Sequence, residues 1–458
     1  MSVKVGLYLQ DRTLQGKKAE KEFNRVLESV NAANLDLFVF PEHAYSPFND
    51  ELYSLNLCDY SDGETADTER IEDIVLEISE KAGCPIVFAS SDSHDMIYSY
   101  YANPNAADDE TYLNFYVKHI ATSFSAFEFS DYADMPDNLY APVLYKGYRI
   151  GRTICYDSTQ PLFSRAFSVN GVDIIINSTG GHVDYKKWSY YQKVRAIENK
   201  CFTLCTMGYS DATARNISYV FGYDPCGRQL KYSILNLDRS GSTSRNLPGK
   251  VYIFDINKEI FHDILKCKSF ENDEYLNQPE TLNKNQDFVI RPDALSNILS
   301  KSKKIDTGLY LHKYNDKNII IAYCREKDIL KPELVASMLY SDKIEKISNK
   351  RYIVINEWNQ LDVNFYKGVL SNVLKVRAAE NFCAVILKSN DLQKCYQVGN
   401  CKNSQTIKLV NGAFGIDLSR TTGPEALWKN KEGLGVRKEW RKGYEVLLKH
   451  ILYKANDK

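Results

Sequence analysis

The sequence predicts a layered α/β protein with a second, smaller α/β region behind it. Three observations carry this expectation. Short apolar strand patterns alternate with helical stripes through residues 1–263. A heptapeptide near residue 193 recurs near residue 375, flanked by similar strands in the same order. Three of the early strand patterns each end on a side chain able to do chemistry: Glu42, Lys118 and Cys155.

Val3, Val5, Leu7 and Leu9 alternate with polar residues or glycine, which reads as a strand with one buried face. Ala19, Phe23, Val26, Leu27 and Val30 follow at helical spacing. Leu37-Phe-Val-Phe40 is a short buried strand. It must stop at Pro41, which has no N–H for a ladder, leaving Glu42 at the sheet edge. A second helical stripe, Ile71 to Ala82, ends at Gly83, and Pro85–Ala89 is the next strand. Residues 96–102 and 111–118 read as a hairpin whose second arm puts Tyr112, Asn114, Tyr116 and Lys118 on one polar face.

The strand Tyr148–Ile154 delivers Cys155 at its very end, and a polar turn follows. A helix is expected from about Pro161, then a strand over 172–177, a helix over 186–198 and strands over 202–207, 218–223 and 251–256. Residues 264–304 turn polar and read as a linker. In the following segment, 305–430, Lys375-Val-Arg-Ala-Ala-Glu-Asn381 matches Lys193–Asn199 at six of seven positions. Asn318–Cys324 resembles the Cys155 strand, Arg351–Asn356 resembles Val172–Asn177, and Gly412–Leu418 resembles Lys250–Ile256. The copy is partial, without counterparts of the Glu42 and Lys118 strands, so Cys324 is expected to be its inert counterpart of Cys155. Residues 431–458 read as a basic amphipathic helix docked on the fold.

Composition narrows the function. Charged residues make up 26% and the formal net charge is −1, which gives no electrostatic footprint for nucleic acid. No apolar run approaches the ~20 residues of a spanning helix, and the amino terminus has no signal-peptide core. Eleven cysteines without framework spacing imply reduced thiols and a cytoplasmic setting. Seven histidines form no HxH or HExxH cluster, so neither a metal site nor a cofactor is expected.

A thiol needs a base, and the oxyanion formed when it attacks a carbonyl needs positive charge. Glu42 is the expected base, with a pKa raised by partial burial, and Lys118 the expected cation; the backbone N–H of Tyr156 is a second oxyanion donor. Arg195 and Glu198, three apart on a helix, read as a structural ion pair.

Phe40-Pro-Glu42, Tyr116-Val-Lys118-His119 and Ile154-Cys155-Tyr156-Asp157 with Pro161 resemble, in order and spacing, the signatures of the nitrilase (carbon–nitrogen hydrolase) superfamily. Trp188, Arg195–Asn199 and Asp224–Gly227 resemble its later landmarks, so the likeness covers residues 1–262. The resemblance implies a four-layer α-β-β-α sandwich, with a half-sandwich in the second region. It implies a Glu42–Lys118–Cys155 triad acting through a thioester, and a second glutamate, for which Glu128 is the candidate. Tyr45, Gly181, His182 and Trp188 are expected around the substrate. Thr159, Gln160 and Leu162 depart from the family's usual arginine and Phe-Pro-Glu, so the substrate class does not transfer. The expectation is an amidase acting on a small amide, assembled as a homo-oligomer through its sandwich surfaces. Its rivals are nitrile, carbamoyl or acyl-transfer chemistry, and a scaffold whose half-sandwich exposes apolar sheet faces.

Overall fold

The computed structural model of the chain describes residues 2–44, 66–91, 97–119, 140–180, 185–209, 219–241, 247–260, 280–398, 404–424 and 438–456. The chain divides into two compact units, one of Met1–Phe129 with Asp134–Ile264 and one containing Leu265–Lys458.

In the first unit the elements run β1 (Val3–Leu9), α1 (Lys17–Ala32), β2 (Leu37–Glu42), α2 (Ala66–Ala82), β3 (Ile86–Ser91), β4 (Ile97–Ala102) and β5 (Leu113–Val117). There follow β6 (Val143–Tyr145), β7 (Tyr148–Ile154), α3 (Pro161–Val169), β8 (Ile174–Thr179), α4 (Tyr185–Asn199) and β9 (Phe202–Met207). The unit closes with β10 (Phe221–Tyr223), β11 (Tyr232–Ile234), β12 (Leu237–Gly241) and β13 (Lys250–Ile256). Two sheets result, ordered β12-β11-β13-β1-β2-β3-β4-β5 and β10-β9-β8-β7-β6.

The period-2 pattern of β1 has the expected consequence: Val5 and Leu7 meet Ile150, Ile174, Ile176 and Leu204 of the other sheet in a shared core. On the outer face of the first sheet, Phe38, Phe40 and Phe88 pack on Phe23, Leu27, Val75 and Ile78 of α1 and α2. Helix α3 covers the second sheet closely, because Gly151 carries no Cβ; one would lie 2.7 Å from the Phe167 ring. The layers are therefore α-β-β-α, as the resemblance implied. Each full burial of such an aliphatic or aromatic side chain stabilises the sandwich by about 1.5–3 kcal/mol.

Polar ties fix one sheet against the other. The buried Arg152 guanidinium donates to Ser99 O at 2.8 Å and Asn114 O at 3.0 Å. Ser178 Oγ donates to Phe40 O at 2.8 Å, and Thr206 Oγ1 to Tyr8 O at 2.7 Å. These bonds hold the carboxyl end of β2 beside that of β8, where the reactive side chains lie.

The second unit contains β14 (Phe288–Ile290), α5 (Leu295–Ser300), β15 (Lys303–Asp306), β16 (Leu309–Tyr314), β17 (Lys317–Arg325) and α6 (Pro332–Leu339). Then come β18 (Lys350–Glu357), α7 (Ser371–Glu380), β19 (Ala384–Lys388), β20 (Gln393–Val398), β21 (Ser404–Ile407), β22 (Leu409–Val410), β23 (Ala413–Ile416) and α8 (Lys438–Asn456). Strands β15 to β21 form a seven-stranded sheet in sequence order, and β14-β23-β22 form a small second sheet.

Three expectations change here. Residues 280–304 are not a loose connection, because Phe288, Ile290 and Leu295 are part of the second core. The apolar face of the seven-stranded sheet is not left open either. Phe288, Ile290, Phe414 and Ile416 of the small sheet cover Ile319, Ile321, Ile353 and Ile355. The scaffold reading loses the exposed surface that motivated it. Third, Cys226 is disulfide-bonded, whereas seven other described cysteines are free, so uniformly reduced thiols do not hold. Helix α8 does dock: Leu447, Leu448 and Ile451 are buried, and the Tyr444 ring sits 5.0 Å from that of Tyr340. Among the described residues no helix is long and apolar enough to cross a membrane.

Candidate active site

Glu42 ends β2, and His43 follows with φ +52°, turning the chain away directly after the carboxylate. Lys118 follows β5 directly, on the same face as Asn114 and Tyr116. That polar face turns inward: Tyr116 is fully buried and Asn114 O receives Arg152. Cys155 follows β7 with φ +43°, a left-handed conformation that a non-glycine residue adopts only when its surroundings impose it. The chain then makes a 3-10 turn, Cys155–Thr159, and enters α3 at Pro161.

The three side chains meet. Lys118 Nζ lies 2.6 Å from Glu42 Oε1, with the two side chains only 4% and 3% exposed. The Cys155 thiol lies within electrostatic reach of the Glu42 carboxylate, the Lys118 ammonium and the Gly180 backbone N–H. Burial by itself would raise the Glu42 carboxyl, but the Lys118 ammonium with its hydrogen bond, His43 and the Cys155 thiol hold it below the usual range. The expected upward shift of this carboxyl is therefore reversed, because its cation is in contact. Burial likewise opposes the charge on Lys118, and the Glu42 carboxylate beside it wins, so the ammonium is held above its ordinary value. Burial first, then the Glu42 charge, push the Cys155 thiol well up; Lys118 and the Gly180 N–H oppose them. The resting site is an ion pair beside a protonated thiol.

A buried polar network supports this cluster. Asp157 accepts the Tyr116 hydroxyl at 2.9 Å and the His119 backbone N–H at 3.0 Å. His119 Nδ1 lies 2.8 Å from Tyr116 Oη, and Nε2 lies 2.7 Å from Tyr140 Oη. Since Tyr116 gives its proton to Asp157, its oxygen is the acceptor for a proton on Nδ1. Arg12 donates to Gly180 O at 3.0 Å and also to Glu42 O, clamping the ends of β2 and β8. Sequence reading missed Arg12; its only signal was a charged residue three places after the first strand.

Of the remaining expected residues, Tyr156 follows Cys155 at the turn, its ring edge-on to Trp188 at 5.2 Å. Trp188 is fully buried behind the turn, and its indole N–H is shared by Asn177 Oδ1 and Thr179 Oγ1, each at 3.1 Å. Tyr45, Glu128, Gly181 and His182 lie outside the described residues. Arg195 and Glu198 pair with no side-chain exposure, and Arg195 Nε also donates to Ser158 O at 2.9 Å. No group of three or more His, Cys, Asp or Glu able to hold a metal occurs among the described residues.

Comparison with known proteins bears on the same region. Residues 13–210 match the profile of the carbon–nitrogen hydrolase family. An (R)-stereoselective amidase from a Pseudomonas species is 26% identical over 225 residues, which cover 47% of this chain and 77% of that protein. Among solved structures, a carbon–nitrogen hydrolase from Helicobacter pylori G27 aligns at 15% identity with a TM-score of 0.41, over 57% of this chain and 90% of its own. An amidase from a Nesterenkonia species aligns at 15% identity with a TM-score of 0.38, over 60% and 94%. Residues 13–210 are thus a carbon–nitrogen hydrolase domain of the nitrilase superfamily.

Proposed function

We propose that the protein is an amidase that hydrolyses a small, non-peptide amide through a thioester on Cys155. The observation that carries this reading is the convergence of Glu42, Lys118 and Cys155 from three strand ends into one buried cluster. The similarity to the Pseudomonas amidase supports the amide over the nitrile or carbamoyl alternatives.

In this reading Sγ attacks the carbonyl carbon while Glu42 takes the thiol proton, so a free thiolate never accumulates in the buried site. The carbonyl electron pair moves onto oxygen, where the Lys118 ammonium and the Tyr156 N–H stabilise it. Collapse of this intermediate expels the amine, which takes the proton from Glu42, and leaves the acyl group on sulfur. Glu42 then deprotonates a water that attacks the thioester; collapse returns the proton to Cys155 and frees the acid. Tyr45, Gly181 and His182 are proposed to shape the substrate side, Trp188 to back it, and Glu128 to be a second carboxylate. Assembly into a homo-oligomer through the sandwich surfaces belongs to the same proposal, with light scattering as its check.

Intact-mass spectrometry after incubation with pooled small amides, nitriles and ureides tests the chemistry. The expected result is an acyl adduct on Cys155 that accumulates in Glu42→Gln and is absent in Cys155→Ala. Full turnover by Cys155→Ala would end the proposal.

A further inference from the structure

The turn that presents Cys155 has a counterpart in the second unit. Strand β17 ends at Arg325, and Glu326 then takes φ +43°, the same value as Cys155. A 3-10 turn, Glu326–Leu330, follows, and α6 starts at Pro332. Pro161 and Pro332 each stand six residues beyond the left-handed position. The counterpart of Cys155 is therefore Glu326. Cys324, the position expected from sequence, lies two residues upstream within β17.

Three hydrogen bonds that support the two turns also correspond. Asn177 Nδ2 donates to Cys155 O at 3.3 Å, and Asn356 Nδ2 donates to Glu326 O at 3.0 Å. Trp188 Nε1 donates to Asn177 Oδ1, and Trp358 Nε1 donates to Asn356 Oδ1 at 2.6 Å. Arg195 Nε donates to Ser158 O, and Arg377 Nε to Ile329 O at 3.2 Å, each arginine paired with the glutamate three residues on. The first-to-last strand pairing recurs too, β1 with β13 and β14 with β23, both antiparallel. What the second turn lacks is the nucleophile. The support is thus separable from the chemistry, because one chain carries it both with and without a thiol.

We infer that Asn177 is the positioning residue of the Cys155 turn. Its side chain, oriented by the Trp188 N–H, holds the Cys155 carbonyl and so fixes the left-handed backbone that aims Sγ at Glu42 and the Gly180 N–H. The second unit is a diverged copy that keeps this device around Glu326. Left-handed φ at a bulky residue costs on the order of 1–3 kcal/mol and persists only where neighbours impose it. In both units the imposing group is the same amide.

This inference rests on Cys155 being the reactive thiol, as proposed above, and is tested by a readout independent of any substrate. The full chain is alkylated with iodoacetamide across pH, and the Cys155 peptide is quantified by mass spectrometry. In Asn177→Ala the Cys155 rate is expected to fall about tenfold, the scale of loss from a slight misplacement of a reacting group. Asn356→Ala, the matched deletion in the second unit, is expected to lower the melting temperature comparably and leave the Cys155 rate and its pH midpoint unchanged. Should Asn177→Ala not fold, Trp188→Phe keeps an aromatic ring but removes the indole N–H shared by Asn177 and Thr179, and carries the same expectation. A Cys155 rate within threefold of the parent in whichever of these variants folds overturns the inference, as does an equal loss in Asn356→Ala. If Cys155→Ala kept full hydrolysis, the proposed activity would fail while this comparison of thiol rates kept its meaning.

Discussion

The backbone N–H of His119 donates to the Asp157 carboxylate at 3.0 Å, so the strand end that carries Lys118 and the turn that carries Cys155 share one acceptor. Asp157 also takes the Tyr116 hydroxyl at 2.9 Å and the Ile154 N–H at 3.4 Å. The distance from ammonium to thiol is set by this carboxylate as much as by either strand.

Asp157→Asn turns an acceptor of several protons into a group with two donors facing donors. Asp157 is fully buried, so bulk solvent cannot absorb the mismatch. The expected cost is about 2–3 kcal/mol of stability in urea unfolding, with a fall in kcat larger than any change in KM.

Glu42→Gln separates thiol reactivity from turnover. The Glu42 charge is the second cause, after burial, of the raised Cys155 thiol, while Lys118 pulls the other way. Removing the carboxylate leaves burial and the cation, so the thiol pKa moves down. The pH midpoint of Cys155 alkylation should fall while hydrolysis is lost; an unchanged or higher midpoint contradicts the charge arrangement. The parent's pH profile follows from the same groups. Glu42 is ionised until pH drops below the usual carboxylate range, and Lys118 stays charged past its ordinary value. Stability linked to Glu42 is present above its unfolded pKa and lost as pH falls through the lower folded value. That linked to Lys118 is present below its unfolded pKa and lost as pH rises through the higher folded value. Activity should be flat through neutrality.

Lys118→Met removes the proposed oxyanion cation, which also lies 2.6 Å from the Glu42 carboxylate. A loss of about 10²–10³ in kcat is expected. Breaking a buried ion pair also costs about 3–5 kcal/mol, so the unfolding midpoint must be measured beside the kinetics.

Gly180→Ala places a Cβ 3.0 Å from Glu42 Oε2, where there is room only if the carboxylate shifts. Displacing the base by a fraction of an ångström should lower kcat by up to about 10²-fold, with little change in melting temperature. An alanine variant with parental kcat would show that the carboxylate can move freely.

The meeting of Glu42, Lys118 and Cys155 was legible because strand ends are legible. Pro41 interrupts the ladder of β2, where the register shifts between Val39 and Glu42, but the strand runs past it and still ends on Glu42; alternation puts Lys118 on a defined face. The residues that hold these three side chains together were not. Asp157 meets Tyr116 across 41 positions, and Arg12 reaches Gly180 across 168, separations that no local pattern encodes. Residues 280–304 read as a linker because β14 is only three residues long, and Val289 between its two buried neighbours is exposed. Cys324 drew attention by chemical identity, although β17 runs nine residues against seven in β7 and carries the turn two places further. The prolines at 161 and 332 were the better ruler.

That displacement makes Cys324 useful in another way. Its thiol is buried, pushed up to about 12 by burial and then by Asp328, and it sits two residues before a turn built like that of Cys155. A reagent can reach it only when the second unit opens. In one tryptic digest, label on Cys155 reports access to the Glu42–Lys118 cluster of the first unit and label on Cys324 reports breathing of the second, so each molecule supplies its own reference clock.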